Sequence, residues 1–162
     1  MKTIAVIGWK NSGKTTLVSR LVAHLKKKKF KVGVVKHAHH TFDIDHPNTD
    51  SYKIREAGSY KTTIVSEKRL AHIEEKISPE IDIEELIKLN NGCDILIFEG
   101  FKKIKKLSKI EVNLTKNNRE LLYKSFDNVK LLVSDDMSEH PIKVLRHDQV
   151  NEIIKEILSD LF

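Results

Sequence analysis

The chain has 162 residues, 40% of them hydrophobic and 32% charged, which fits one ordinary globular domain spanning 1–162. No apolar stretch nears the roughly 18 residues of a membrane span, the N-terminal apolar run passes straight into a loop rather than a signal-peptide cleavage site, and a lone Cys93 allows no internal disulfide, so a cytoplasmic protein is expected. The net charge of +6 is local: residues 26–36 and 101–110 hold eleven lysines and no acid, and without them 18 basic face 23 acidic residues, which disfavours a general nucleic-acid binder.

Thr3-Ile4-Ala5-Val6-Ile7 reads as a strand, and it runs into Gly8-Trp9-Lys10-Asn11-Ser12-Gly13-Lys14-Thr15, a phosphate-binding loop in its required context of strand before and helix after. Gly8 and Gly13 let the backbone curl so that successive N–H groups point at phosphate oxygens, and the following helix adds its positive dipole end. Lys14 suits the β- and γ-phosphates and the Thr15 hydroxyl suits Mg²⁺. The expected nucleotide-binding set is Gly8, Lys10, Asn11, Ser12, Gly13, Lys14, Thr15 and Thr16.

The first helix is predicted from Gly13 to about Lys28, with Leu17, Val18, Leu21, Val22 and Leu25 as its apolar stripe and Lys26 to Lys29 as a solvated end. Lys31 to Lys36 is a second strand, parallel to the first. The polar segment after it carries His37, His39, His40, Asp43 and Asp45 in nine residues. Its spacing matches no closed zinc pattern. Three readings stay open: a switch-like loop with Asp43 or Asp45 at the Mg²⁺ shell and histidines on an anion, a zinc site, and a solvated loop.

Asp50 is read as the cap of a helix over 51–57 that ends at Gly58. Tyr60 to Glu67 and Leu70 to Glu74 read as strands, and Ile81 to Leu89 as an amphipathic helix. Asp94-Ile95-Leu96-Ile97-Phe98-Glu99-Gly100 describes a buried parallel strand that delivers a carboxylate to its C-terminal end. A phosphate loop needs such an acid beside the first strand to hold Mg²⁺ or its waters, and Glu99 is the choice, with Asp45 as a further metal candidate. Lys14 and Glu99 are thus the residues expected to act in any hydrolysis. Lys102 to Lys106, then Lys109, form a lysine patch at the ligand edge, open to two readings: phosphate contact or solvated face. Lys109 to Leu114 and Val129 to Val133 are further strands, with a short helix over 119–126 between them. Asp135 and Asp136 follow, as acceptors for a guanine edge or as turn caps. A last helix begins after Asp148, with Val150, Ile153, Ile154, Ile157, Leu158 and Leu161 as its stripe.

Four pieces together resemble the molybdopterin-guanine dinucleotide biosynthesis protein B (MobB) family: Gly8 to Thr15 with Thr16-Leu17; Lys36-His37-Ala38-His39-His40-Thr41-Phe42-Asp43-Ile44-Asp45; Asp50-Ser51 with Arg55-Glu56-Ala57-Gly58; and Glu99-Gly100-Phe101-Lys102 with Lys109-Ile110-Glu111-Val112. The resemblance implies a GTP-binding, weakly GTP-hydrolysing protein that uses Mg²⁺. It implies a homodimer that assists the guanylyltransferase MobA in attaching GMP to molybdopterin, a possible ligand in its own right. His37, His39, His40, Asp43 and Lys102 are candidates for substrate or anion contacts. Pro47-Asn48-Thr49-Asp50 departs from the family's usual Pro-Gly-Lys-Asp.

The expected fold is α/β, that of P-loop NTPases: a mainly parallel sheet with helices on both faces and some antiparallel additions. Two alternatives to the family function remain. One is a small-molecule kinase, although the five arginines are not clustered as a lid would need; the other is a non-catalytic scaffold for cofactor and partner.

Overall fold

Short apolar runs form the frame of the computed structural model, which describes residues 1–38, 42–75 and 82–162. In chain order the elements are β1 (Lys2–Ile7), α1 (Lys14–Lys27), β2 (Val32–Lys36), α2 (Asp50–Glu56), β3 (Lys61–Val65) and β4 (Leu70–Glu74). Then come α3 (Ile83–Leu89), β5 (Ile95–Glu99), β6 (Ser108–Val112), β7 (Val129–Val133), β8 (Lys143–Leu145) and α4 (Val150–Leu158). The chain divides into two compact units, one of residues 1–37 with 84–162 and one of residues 38–83.

The larger unit holds a six-stranded sheet in the order β2-β5-β1-β6-β7-β8, with every neighbouring pair parallel. Its central strands are apolar along their whole length because both faces are covered. One face packs Ile4, Val6, Ile95, Ile97, Ile110, Val112, Leu131 and Val133 against the stripes of α1 and α4. The other face, with Ala5, Leu96, Phe98 and Leu132, is equally buried. There Asn90, just past α3, approaches Gly33 so closely that a Cβ would stand 2.9 Å from its Oδ1 and 2.8 Å from Leu96 Cδ1, so any larger residue would have to push these side chains aside.

β2 is parallel to β1 as expected, but β5 lies between them. Asp94 serves the start of this arrangement: its carboxylate accepts the Lys31 N–H at 2.7 Å and its carbonyl accepts the Lys2 N–H at 2.8 Å. The chain runs from β1 toward one edge and later returns to the other side of β1. That topological switch opens a crevice at the C-terminal strand ends.

The smaller unit holds α2 and the antiparallel hairpin of β3 and β4. Thr49, not Asp50, caps α2, accepting the Tyr52 N–H at 3.3 Å. Asn48 stands at φ 73. Asn is among the residues that enter the left-handed region most readily, so the turn accommodates it.

Some expectations fail. β6 stops at Val112, before Leu114, and α4 stops at Leu158, leaving Leu161 43% exposed. β8, three residues long, carries too short a pattern to be read in advance. The helix expected over 119–126 shrinks to a single 3-10 turn at Leu122–Lys124. Lys109 does not belong to the exposed lysine patch: it is 1% exposed and donates to the carbonyls of Leu107 at 3.0 Å and Asp127 at 2.8 Å. Burial lowers its pKa.

Glu111 explains the shortened helix. It is fully buried in β6, and its two oxygens accept the N–H groups of Leu122 at 2.7 Å and Tyr123 at 2.9 Å, donors at the start of that turn. Burial pushes this carboxyl above its ordinary 4.5, and the two N–H groups pull part of the way back. The folded state therefore holds the proton more tightly than the unfolded chain, and stability falls as pH rises from about 4.5 through the raised value. Glu111→Ala, which strands two buried donors, is expected to cost about 2–5 kcal/mol in urea unfolding at neutral pH. Glu111→Gln should cost less and remove the decline above pH 4.5.

Candidate functional site

Between the end of β1 and the start of α1 the backbone turns through three positive-φ positions, Gly8 at 154°, Asn11 at 63° and Gly13 at 92°. A Cβ at Gly8 would sit 2.4 Å from the Val112 carbonyl oxygen and 2.5 Å from Ser12 Oγ. Gly13 is the N-terminal cap of α1 and has no side chain to satisfy the first amides of the helix. Ser12 is 1% exposed, and its hydroxyl has no hydrogen-bond partner among the described residues.

Lys14 reaches back across this curl. Its ammonium donates to the carbonyls of Gly8 at 3.0 Å and Trp9 at 2.6 Å. Burial lowers its pKa, Glu99 opposes that, and the positive charges of Lys36 and Lys102 add to it. Next to it, Thr15 Oγ1 donates to Glu99 Oε1 at 2.7 Å, and Lys36 Nζ lies 3.3 Å from the same oxygen. Glu99 is 7% exposed, so this carboxylate is held in place by a cation and a hydroxyl. Lys10 and Thr16 are exposed beside the loop.

The other candidates fall in three places. His37 follows β2, donates its N–H to the Glu99 carbonyl at 3.0 Å and packs against Phe101 with ring centroids 5.3 Å apart. His39 and His40 lie outside the described residues. Asp43 and Asp45 are organised within the smaller unit around Arg55. Arg55 Nη1 bonds Asp43 Oδ1 at 2.8 Å and lies 3.5 Å from Asp45 Oδ2, while its Nη2 pairs with Glu75 at 3.1 Å. The Arg55 bond holds the Asp43 carboxyl below its usual range. For Asp45, burial pushes up, and hydrogen bonds from Ser51, Thr49 and the His46 N–H more than offset it. Among the described residues no group of three or more His, Cys, Asp or Glu side chains is placed to hold a metal.

Asp135 and Asp136 leave the end of β7. Asp135 takes the Thr115 N–H at 2.8 Å and hydroxyl at 3.0 Å, and Asp136 takes the Ser138 N–H at 2.9 Å. These bonds lower both carboxyls, with the Thr115 and Ser138 N–H groups as the largest causes.

Two features escaped the sequence. Lys36 faces Glu99 because each ends its strand at paired register, a coincidence that needs the strand order to be seen. Gly100 at φ 100 and Phe101 at φ 55 turn the chain so that Lys102 lies 4.6 Å over the Trp9 ring, with Arg119 5.8 Å from that ring and the indole N–H donating to the Glu120 carbonyl at 2.8 Å. Non-glycine residues at positive φ cluster where function holds them.

A cradle that a Cβ would fill, a buried unpartnered hydroxyl, a lysine folded over the loop and a threonine hydroxyl on a buried acid all fit a polyphosphate with Mg²⁺. With the parallel sheet and its switch at β1, they define the α/β fold class of P-loop NTPases. The model of the MobB family, molybdopterin guanine dinucleotide synthesis protein B, matches residues 3–135, and the chain belongs to that family. It is 35% identical over 102 residues to the molybdopterin-guanine dinucleotide biosynthesis adapter protein of Escherichia coli, covering 61% of this chain and 58% of that one. It is 30% identical over 140 residues to a putative adapter protein of the same description from Methanocaldococcus jannaschii, covering 83% and 56%. The chain thus spans less than three-fifths of the length of these relatives. Among solved structures, a molybdopterin-guanine biosynthesis protein B superposes with a TM-score of 0.74 at 27% identity over 98% of both chains. The MobB of Bacillus subtilis superposes at 0.77 and 22% over 99% of both, a likeness of fold.

Gly8→Ala is expected to lower stability by about 3 kcal/mol or more, because the new methyl meets a fixed carbonyl rather than a flexible side chain. Thermal unfolding of the purified variant checks it.

Proposed function

We propose that the chain is a GTP-binding, weakly hydrolysing adapter in molybdenum cofactor biosynthesis, acting where molybdopterin becomes molybdopterin guanine dinucleotide. One observation carries the reading: the Thr15 hydroxyl sits 2.7 Å from the buried Glu99 carboxylate at the mouth of the Gly8–Thr15 loop. The loop amides and Lys14 hold the phosphates, with Lys10, Asn11, Ser12 and Thr16 completing the set. Thr15 and Glu99 hold Mg²⁺ on this reading. Bound there, the metal ion neutralises phosphate charge. Asp135 and Asp136 supply the acceptors that guanine's N1–H and N2 amine require. His37, packed on Phe101, and Lys102 contact the anionic substrate, molybdopterin.

Hydrolysis is slow on this reading, because no arginine is marked as a finger and three of the five are engaged elsewhere. Arg20 donates to the His147 carbonyl at 3.1 Å, Arg55 serves two acids of the smaller unit, and Arg119 lies over Trp9. The partner is a MobA-like guanylyltransferase in the cytoplasm. No helix among the described residues is long and apolar enough to cross a membrane.

Calorimetric titration with GTP and ATP, with and without Mg²⁺, tests the nucleotide reading. GTP should bind more tightly, and Lys14→Ala should weaken it by about 10–100-fold, the loss of charge-assisted phosphate bonds. Equal or tighter ATP binding, or phosphate transfer to a small acceptor without a partner protein, overturns it in favour of a kinase. Cofactor maturation that survives Lys14→Ala would mark a scaffold.

A homodimer is part of the same proposal. The hairpin unit leaves Val65 73%, Leu70 67% and Ile64 42% exposed, an apolar edge that a second copy can cover. Val65→Glu is expected to shift sedimentation toward the monomer, while leaving GTP affinity within about twofold of the parent.

A further inference from the structure

The second lysine run does not lie flat on the surface as the first does. Lys26 to Lys29 are all exposed at the end of α1. Lys102, Lys103 and Lys105 instead line a half-open pocket of about 210 Å³, together with Ser125, Phe126, the exposed Asp127 and the buried Lys109. Four lysines and one acid line it. Lys105 pairs with Asp127 only at 3.7 Å, and Lys109 spends two of its three protons on carbonyls. Lys102 is held between aromatic faces, 4.6 Å from Trp9 and 5.7 Å from Phe126. An excess of positive charge gathered round a small concavity is costly unless an anion shares it.

The geometry points to a second anion site, separate from the phosphate loop, that takes a phosphate monoester between Lys102, Lys103 and Lys105 with its organic part toward Phe126. The donors are side-chain ammonium groups, not a nest of backbone amides. They suit a compact terminal dianion better than a polyphosphate chain. The pocket, about 210 Å³, has room for one such group.

Trp9 joins the two sites. Its carbonyl accepts from Lys14 at 2.6 Å while its ring carries Lys102, so a residue of the phosphate loop touches the key cation of each. Lys102 also presses on Lys14 electrostatically. An anion in either site relieves that repulsion, so each ligand should tighten the other by the same factor. The pocket stands without the nucleotide reading; the coupling rests on it.

Phenyl phosphate, titrated calorimetrically into the full chain at pH 7.5, is the probe, and the emission of Trp9, the only tryptophan, reports the same event. The parent should bind it, Lys14→Ala should bind it within about twofold, and the Lys103→Glu/Lys105→Glu variant should lose about tenfold or more. GTP affinity of that double variant should stay within about twofold when no phenyl phosphate is present. Lys103→Gln/Lys105→Gln gives the milder reading if the charge reversal fails to fold, and should lose affinity in the same direction. No binding to the parent overturns the proposal, as does binding unchanged in the lysine variants or lost only in Lys14→Ala. Failure of GTP to bind while phenyl phosphate still does would sink the nucleotide reading and the coupling, and leave the pocket.

Discussion

Val6 of β1 pairs with Glu99 of β5, and the rest of the site depends on that register. β1 ends one residue later and pours into the phosphate loop, so the pairing sets the acid beside Thr15. In a sheet, side chains alternate faces with a period of two. A one-residue slip would send Glu99 to the opposite face and turn Ile95 and Ile97 away from α1. The apolar core therefore enforces the register, since both faces of β5 are buried and any slip exposes or misplaces a whole row. Packing, not local electrostatics, holds the carboxylate where the chemistry wants it.

Electrostatics then sets the character of the site. Lys14 and Lys36 lie by one buried acid, and burial, with the positive charges of Lys36 and Lys102, lowers the Lys14 pKa against the pull of Glu99. Such a cluster is stabilised by an incoming anion more than by anything the chain offers itself. Glu99 balances part of the charge and keeps Lys36 from drifting, and Lys14 is parked on two loop carbonyls that compete weakly with phosphate oxygens. The curl of the loop leaves no room for a side chain at Gly8.

What could be read from the residues follows from how local each signal is. The phosphate loop, α1 and the Ile95–Glu99 strand were legible because each is a contiguous pattern whose physics is complete within about ten residues. The MobB likeness was legible from four short motifs. Illegible were the features made by pairing: β5 inserted between β1 and β2, Lys36 opposite Glu99, and the buried Glu111 that trims a helix to one turn. Lys109 was misplaced for the same reason. As text it continues a lysine run; in the sheet it alternates inward, and two carbonyls are waiting for it.

The two lysine runs show how position decides meaning. Both are acid-free and similar in length, and composition cannot separate them. The first ends α1, where its lysines are all exposed and complement the negative helix terminus, so it needs no ligand. The second leaves the C-terminal end of β5 through two successive positive-φ residues, a backbone path that costs energy and aims Lys102 at a residue of the phosphate loop. A solvated run has no use for such a turn. Strain at that point, together with a tryptophan in the loop that receives the cation, ties the turn after Glu99 to the phosphate loop.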